Sequence, residues 1–182
     1  MIEDQTENLR TRLTQGDIDA AVVALPWPSQ GFNITPLFEE PLFWMSSEPG
    51  PFQGRTSPLH IDDLPDDELL VLGEGHCLRD HVIQSCNARS VRSQVHATSP
   101  TTLIGMVASG IGSTLVPAMA IDDIRRWYGD TVVILPFAGG PKRSIAVWTR
   151  NTTPSNHLLT SVTKILSSLS HQTVSVMSQS DG

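Results

Sequence analysis

Four apolar residues, Leu69–Leu72, run into two glycines, Gly73 and Gly75, and then into Leu78, Val82 and Ile83 at helical spacing. The short apolar run predicts a buried strand, the glycines break it, and the spacing beyond them predicts a helix. Strand, glycine turn and helix start together bring Cys77 close to a helix N-terminus, where unpaired backbone N–H groups favour a thiolate. His76 and Arg79 flank that cysteine and can add positive charge.

The second cysteine of the chain, Cys86, follows nine positions later. In one unbroken helix those nine residues rise about 13.5 Å and point the two side chains to opposite faces. A disulfide needs Cα atoms within about 7 Å, so the pair can bridge only if the segment between them unwinds. A pair that bridges by refolding its own helix is a redox switch. Two packed, reduced cysteines are the alternative, since free cysteine is often buried, and spacing alone favours that alternative.

The surrounding residues change the balance. GHCLRD, followed by Cys86, closely resembles the peroxide-sensing motif of the OxyR group of LysR-type transcriptional regulators. GDIDAAVVALP, PLFEEPLFWM, ATSPTTLIGMVASGIGSTLVPAMAI and RSIAVWTR resemble regulatory-domain segments of that group in the same order, up to about His171. The cysteine motif is specific to the group, whereas the GxGxTLxP pattern at Gly110–Pro117 belongs to LysR-type regulators more widely.

The resemblance implies that Cys77 reacts with hydrogen peroxide to give a sulfenic acid and that Cys86 resolves it as a disulfide, the first steps of the cysteine oxidation ladder. It implies a peroxide pocket that includes Thr6, within the EDQT pattern, and His76, with Arg79 and Asp80 ranked below them. A hydroxyl that both donates and accepts suits Thr6 to peroxide, against the plainer role of a solvent-facing helix threonine or cap. A neighbouring imidazole at His76 could donate to the oxidised sulfur. The resemblance further implies homodimers or tetramers, a glutaredoxin- or thioredoxin-type reductant, and no cofactor. Promoter DNA would be bound only through a winged helix-turn-helix domain that this chain lacks, as it lacks the family's linker helix and the first strand and helix of the regulatory domain.

Bulk properties agree with a regulatory part. A formal charge of −7 with no Lys/Arg cluster is wrong for a surface that grips DNA phosphates. Two cysteines in 182 residues are no secreted disulfide framework. No apolar run approaches the ~18 residues of a membrane span, and Met1–Arg10 is too polar for a signal peptide. A cytoplasmic location without membrane attachment is the expectation.

Along the chain, Glu3–Leu13 predicts a short helix stopped by Gly16, and Ile18–Leu25 a buried strand. PLFEEP predicts a first crossing between lobes, with a strand at Leu42–Ser46 after it. Glu48–Ser57 predicts an exposed loop, and Ile61–Leu64 one helical turn. Asn87–His96 predicts a connection and a short strand. Ser99-Pro100 is the clearest helix start, an N-cap followed by proline at N1. Its helix would present Leu103, Met106 and Val107, end at Gly110, and lead into a strand over Ile111–Val116. Ala118–Tyr128 predicts a helix, Thr131–Leu135 a strand, and Arg143–Arg150 the return crossing. Leu158, Leu159, Val162, Ile165, Leu166 and Leu169 form an amphipathic stripe.

Strands alternating with helices predict an α/β fold with mainly parallel sheets. The family resemblance adds two Rossmann-like subdomains of the periplasmic-binding-protein-like LysR effector-domain type. One would comprise residues 1–38 with 145–182, and the other residues 39–144 with the cysteines.

Other chemistries rank lower. His76, Cys77, Asp80, His81 and Cys86 are possible metal ligands, and Cys77 and His81 share a helix face, but no CxxC or HExxH spacing is present, so no metal is expected. His81 reads instead as a surface or cap histidine. The chain is not expected to be an enzyme, and two other function classes stand beside the peroxide sensor. One is an effector domain binding a small molecule between its lobes, with incidental cysteines. The other, ranked third for want of a peroxiredoxin-like motif, is a thiol peroxidase.

Overall fold

The computed structural model describes residues 2–65, 69–74, 76–85, 91–152 and 160–168. The chain divides into two compact units, Met1–Glu39 with Arg143–Gly182, and Glu40–Lys142.

In the first unit, helix α1 (Thr6–Gln15) leads through Gly16 into strand β1 (Ala20–Leu25). Gly16 takes φ 85°, the left-handed conformation that ends a helix without a Cβ penalty, and its N–H returns to the carbonyls of the last turn. The chain leaves the unit along β2 (Phe32–Ser47) and comes back along β7 (Lys142–Arg150). β1 and β7 pair antiparallel from Ala20↔Thr149 to Leu25↔Ser144. Leu13, Ala21, Val23 and Trp148 form the core, and Phe32 stacks on Trp148 with ring centroids 5.3 Å apart. Arg150 Nη1 donates to the carbonyls of Leu13 (2.8 Å) and Ile18 (2.6 Å), tying the end of α1 to the start of β1. A last helix covers residues 160–168, with Val162 and Ile165 of the expected stripe exposed. Leu158, Leu159 and Leu169 lie outside the described residues.

The second unit is organised on β3 (Leu69–Leu72), whose four residues are all buried. Alternate side chains enter different clusters. Leu69 and Val71 pack with Leu42, Trp44, Leu59, Leu115 and Val82, whereas Leu70 and Leu72 pack with Met45, Leu103, Val107, Val116 and Ile124. Successive strand residues face opposite ways, so a strand buried on both faces reads as a continuous apolar run. Val82 belongs to helix α2 (Cys77–Ser85), and Leu103 and Val107 to helix α3 (Pro100–Ala108). β3 pairs in parallel with β4 (Val91–Ala97), and the Leu70 N–H donates to the Ser113 carbonyl at 2.8 Å. Ser99 caps α3, its Oγ accepting from the Thr102 N–H at 3.2 Å, with Pro100 at the first turn. Beyond α3 come β5 (Thr114–Pro117), a short 3-10 turn, α4 (Ile121–Tyr128) and β6 (Val132–Leu135). Both β5 and β6 pair antiparallel with the second half of β2.

Two sequence expectations are corrected, and a third is refined. The sheets are mixed, with β1–β7, β2–β5 and β2–β6 antiparallel and β3–β4 parallel. Where β2 enters the second unit and β7 leaves it, strand direction follows the path between units, which the local alternation of elements does not report. PLFEEP does hold the passage between the units, which divide between Glu39 and Glu40, and it does so as strand, because β2 is continuous through Pro36 and Pro41. Proline's fixed φ fits extended backbone, and its missing N–H costs a ladder bond only where a partner stands opposite. Finally, β5 begins at Thr114 instead of Ile111, after Gly110 turns with φ 78°.

Candidate functional site

The turn between β3 and α2 gathers the chemistry the sequence pointed to. Cys77 is the first residue of α2, so its backbone belongs to the helix end at which N–H groups lack intrahelical partners. That end favours negative charge, and a thiolate there is stabilised by the same field that binds other anions. His76 precedes the helix, partly exposed, and its carbonyl accepts from the Arg79 N–H at 3.0 Å.

Arg79 reaches back to the strand, its Nη1 donating to the Leu72 carbonyl at 2.9 Å. It thereby joins the first turn of α2 to the last residue of β3. Asp80 is exposed on the outer side of the helix. Leu78 and Val82 carry the inward face, Val82 at 2% exposure.

His81 departs from expectation. Read from sequence as a surface or cap histidine, it is 6% exposed. It directly precedes Val82 in the helix, and its burial runs against the usual preference of imidazole for water. Spacing signalled the shared face with Cys77 but carried no information on burial.

Thr6, the first residue of α1, belongs to the other compact unit from Cys77, His76, Arg79 and Asp80. It is 6% exposed, and the residue in the N-cap position is Gln5, so Thr6 is neither a solvent-facing helix threonine nor the cap. Cys86 lies outside the described residues, one position beyond the end of α2. Among the described residues no group of three or more His, Cys, Asp or Glu side chains converges as a metal site. No helix among them is long and apolar enough to cross a membrane.

Comparison with known proteins fits this geometry. The family model for the LysR substrate binding domain matches residues 1–167. The chain is 37% identical over 155 residues to the dual regulator OxyR of Escherichia coli K12, covering 84% of this chain and 50% of that protein. It is 32% identical over 154 residues to the transcriptional regulator EstR of Acinetobacter baylyi, with the same coverage. The chain thus spans about half the length of these curated relatives. Among solved structures, the reduced OxyR regulatory domain of Pseudomonas aeruginosa superposes with a TM-score of 0.79 at 30% identity, over 92% of this chain and 79% of that one. A hydrogen peroxide-bound cysteine-to-serine mutant of Corynebacterium glutamicum OxyR gives 0.84 at 28% identity, over 98% of this chain and 57% of that one.

Proposed function

Since the chain belongs to the LysR substrate-binding domain family, and within it to the OxyR regulatory domains, we propose that it is the hydrogen-peroxide-sensing part of a LysR-type transcription factor. The observation that carries this reading is the GHCLRD sequence at the turn from β3 into α2, with Cys77 as the first helical residue. The Cys77 thiolate attacks one peroxide oxygen, the O–O bond breaks to give a sulfenic acid, and the hydroxide that leaves takes up the proton the thiol had released and becomes water. The Cys86 thiol then displaces water from the sulfenic acid and a disulfide forms.

The helix sets the structural cost of that second step. Residues 77–85 are helical, an axial rise of about 12 Å. One further trans peptide changes the Cα separation by at most about 3.8 Å. Pairing within about 7 Å therefore requires part of α2 to unwind. α2 is the two-state element, and its change of shape alters the surface through which protomers meet.

The two compact units serve as regulatory subdomains I and II. Thr6 and His76, with Arg79 and Asp80 in lesser roles, are the residues we carry forward as peroxide-binding candidates. The domain works without a cofactor, as a cytoplasmic homodimer or tetramer, is reset by a glutaredoxin- or thioredoxin-type reductant, and acts on promoters through a DNA-binding domain outside this sequence. It is a sensor and not an enzyme.

The test is intact mass and free-thiol count after near-stoichiometric hydrogen peroxide under non-reducing conditions. Loss of both thiols with neither added oxygen nor dimer mass is expected, and Cys86→Ser should stop at a singly oxygenated product. If both thiols stay free, in this chain and in one extended by the regulatory-domain residues its relatives carry, a small-molecule effector replaces the peroxide sensor. Continuous peroxide consumption over many turnovers would make it a thiol peroxidase.

A further inference from the structure

Helix α2 shares its seat with a surface turn. Val82 is buried in one cluster with Trp44, Leu59, Leu64 and Leu69, and Leu78 packs against the same cluster. Phe52 and Ile61, from the segment between β2 and β3, pack against it as well. The backbone holds these members to different degrees. Trp44 and Leu69 lie in paired strands. The Leu59 N–H donates to the Pro136 carbonyl, and the Leu59 carbonyl accepts from the Ala138 N–H, both at 2.8 Å. In the turn Gly50–Arg55 the backbone hydrogen bonds are of short range, from the Gln53 N–H to the Gly50 carbonyl (3.1 Å) and from the Arg55 N–H to the Phe52 carbonyl (3.0 Å).

Side chains tie that turn down. Phe52 meets the Trp44 ring edge to face with centroids 5.4 Å apart, and the Arg55 guanidinium stands over Phe52, 5.6 Å from its centroid. Arg55 also donates to the Asp63 carboxylate (2.8 Å), the Pro58 carbonyl (3.1 Å) and the Ser57 hydroxyl (3.2 Å). A series of contacts thus runs from a partly exposed ion pair, through Phe52, to Trp44 in the cluster that seats Val82. The packed arrangement carries a cost. Trp44 is 0% exposed, and its indole N–H makes no hydrogen bond among the described residues. A buried donor left unmet disfavours the state that buries it, so Phe52 and Arg55 hold the turn against an opposing tendency.

From this arrangement we infer that the turn Gly50–Arg55 is a strap on the seat of α2. With Leu78 and Val82 in place, Phe52 is down on Trp44. When α2 gives those side chains up, the strands of the cluster keep their ladders and the strap gives way. The coupling is reciprocal. Releasing Arg55 from Asp63 loosens Phe52, and a loosened Phe52 makes α2 easier to unseat. The outer side of the segment from Gly50 to Asp63 is therefore a surface whose shape follows the state of α2. The inference rests on the peroxide-sensing reading for what unseats the helix, and the coupling itself is independent of it.

The experiment is hydrogen–deuterium exchange of the full chain, read by mass spectrometry for peptides of the turn, of α2 and, as a control, of α4. Val82→Ala loosens the seat without redox chemistry and should speed exchange in the turn at least about fivefold while α4 is unchanged. In the other direction, Phe52→Ala and Arg55→Gln should speed exchange in α2 by a similar factor. Arg55 is partly exposed, so Arg55→Gln decides alone if the core variants do not fold by circular dichroism. Exchange in the turn that ignores Val82→Ala, or exchange in α2 that ignores Arg55→Gln, overturns the inference. Equal acceleration of α4 also overturns it, because that is a loss of stability throughout the unit. Hydrogen peroxide supplies the separating arm. A Cys77–Cys86 bridge accompanied by faster exchange in the turn supports the strap and the sensor reading together. A bridge with no change in the turn overturns the strap and leaves the sensor reading. Effects of the variants in both directions with no bridge support the strap and remove the sensor reading.

Discussion

Arg79 Nη1 donates to the backbone carbonyl of Leu72 at 2.9 Å, so the first turn of α2 is fastened to the last residue of the strand that precedes it. The carbonyl at a strand end would otherwise need water, and the guanidinium supplies a charged donor in partly buried surroundings. Arg79→Met keeps the aliphatic stem and removes the donor. It should lower unfolding stability by about 1–2 kcal/mol, measured by urea titration at neutral pH. If α2 must unwind for Cys77 and Cys86 to pair, the same substitution should also speed disulfide formation after peroxide is added. A variant of unchanged stability would show that the bond contributes nothing net.

β3 is buried on both faces, Leu69 against α2 and Leu70 against α3. A half-buried strand would tolerate truncation at every second position, and this one should not. Leu69→Ala and Leu70→Ala should each cost about 2–5 kcal/mol, since each leaves a cavity in a separate cluster. Comparable losses of stability in chemical denaturation are expected, and a near-neutral result at either position would mean that its face can collapse or take up water.

Asp63 gives a pH dependence of known sign. Its Oδ2 accepts from the His60 N–H at 2.9 Å and from Arg55 Nη2 at 2.8 Å. The His60 hydrogen bond first, and the Arg55 contact after it, hold the carboxyl below its ordinary value of 3.8. A carboxylate lowered in the folded state contributes stability above the unfolded value and loses it as pH falls through the folded one. Melting temperatures of Asp63→Asn and the parent should therefore differ at neutral pH and converge in acid below about 3.8. A difference that persists unchanged in strong acid would assign the effect to something other than ionisation.

Local chemistry made much of this architecture legible. Leu69–Leu72 announced a buried strand because both of its faces are covered, and Ser99-Pro100 announced α3 because cap and proline act within one turn of chain. The start of α2 at Cys77 followed from the two glycines and the apolar spacing behind them. What escaped was set by tertiary contacts. Burial of His81 and Thr6 depends on what packs over their helices, which the sequence of neither helix records. The antiparallel pairing of the second half of β2 depends on β5 and β6, about 70 to 90 residues away along the chain, and its neighbour in the sheet on the other side is β7, farther away still. Of the cysteine motif, Cys86 lies outside the described residues.

One consequence of the doubly covered strand concerns recovery after the stimulus has passed. Backbone amides of Leu69–Leu72 are shielded by side chains from above and below, so this segment should be among the last in its unit to open to solvent exchange. If α2 unwinds as proposed, residues 77–85 would lose and regain their helical turns against a surface that is itself held in place. The slot vacated by Val82, floored by Leu69 and Val71, stays shaped for its return. In the proposed switch, reduction of a Cys77–Cys86 disulfide would leave β3 as the mould on which the resting conformation is recast, and the chain would carry its own memory of the unstimulated state.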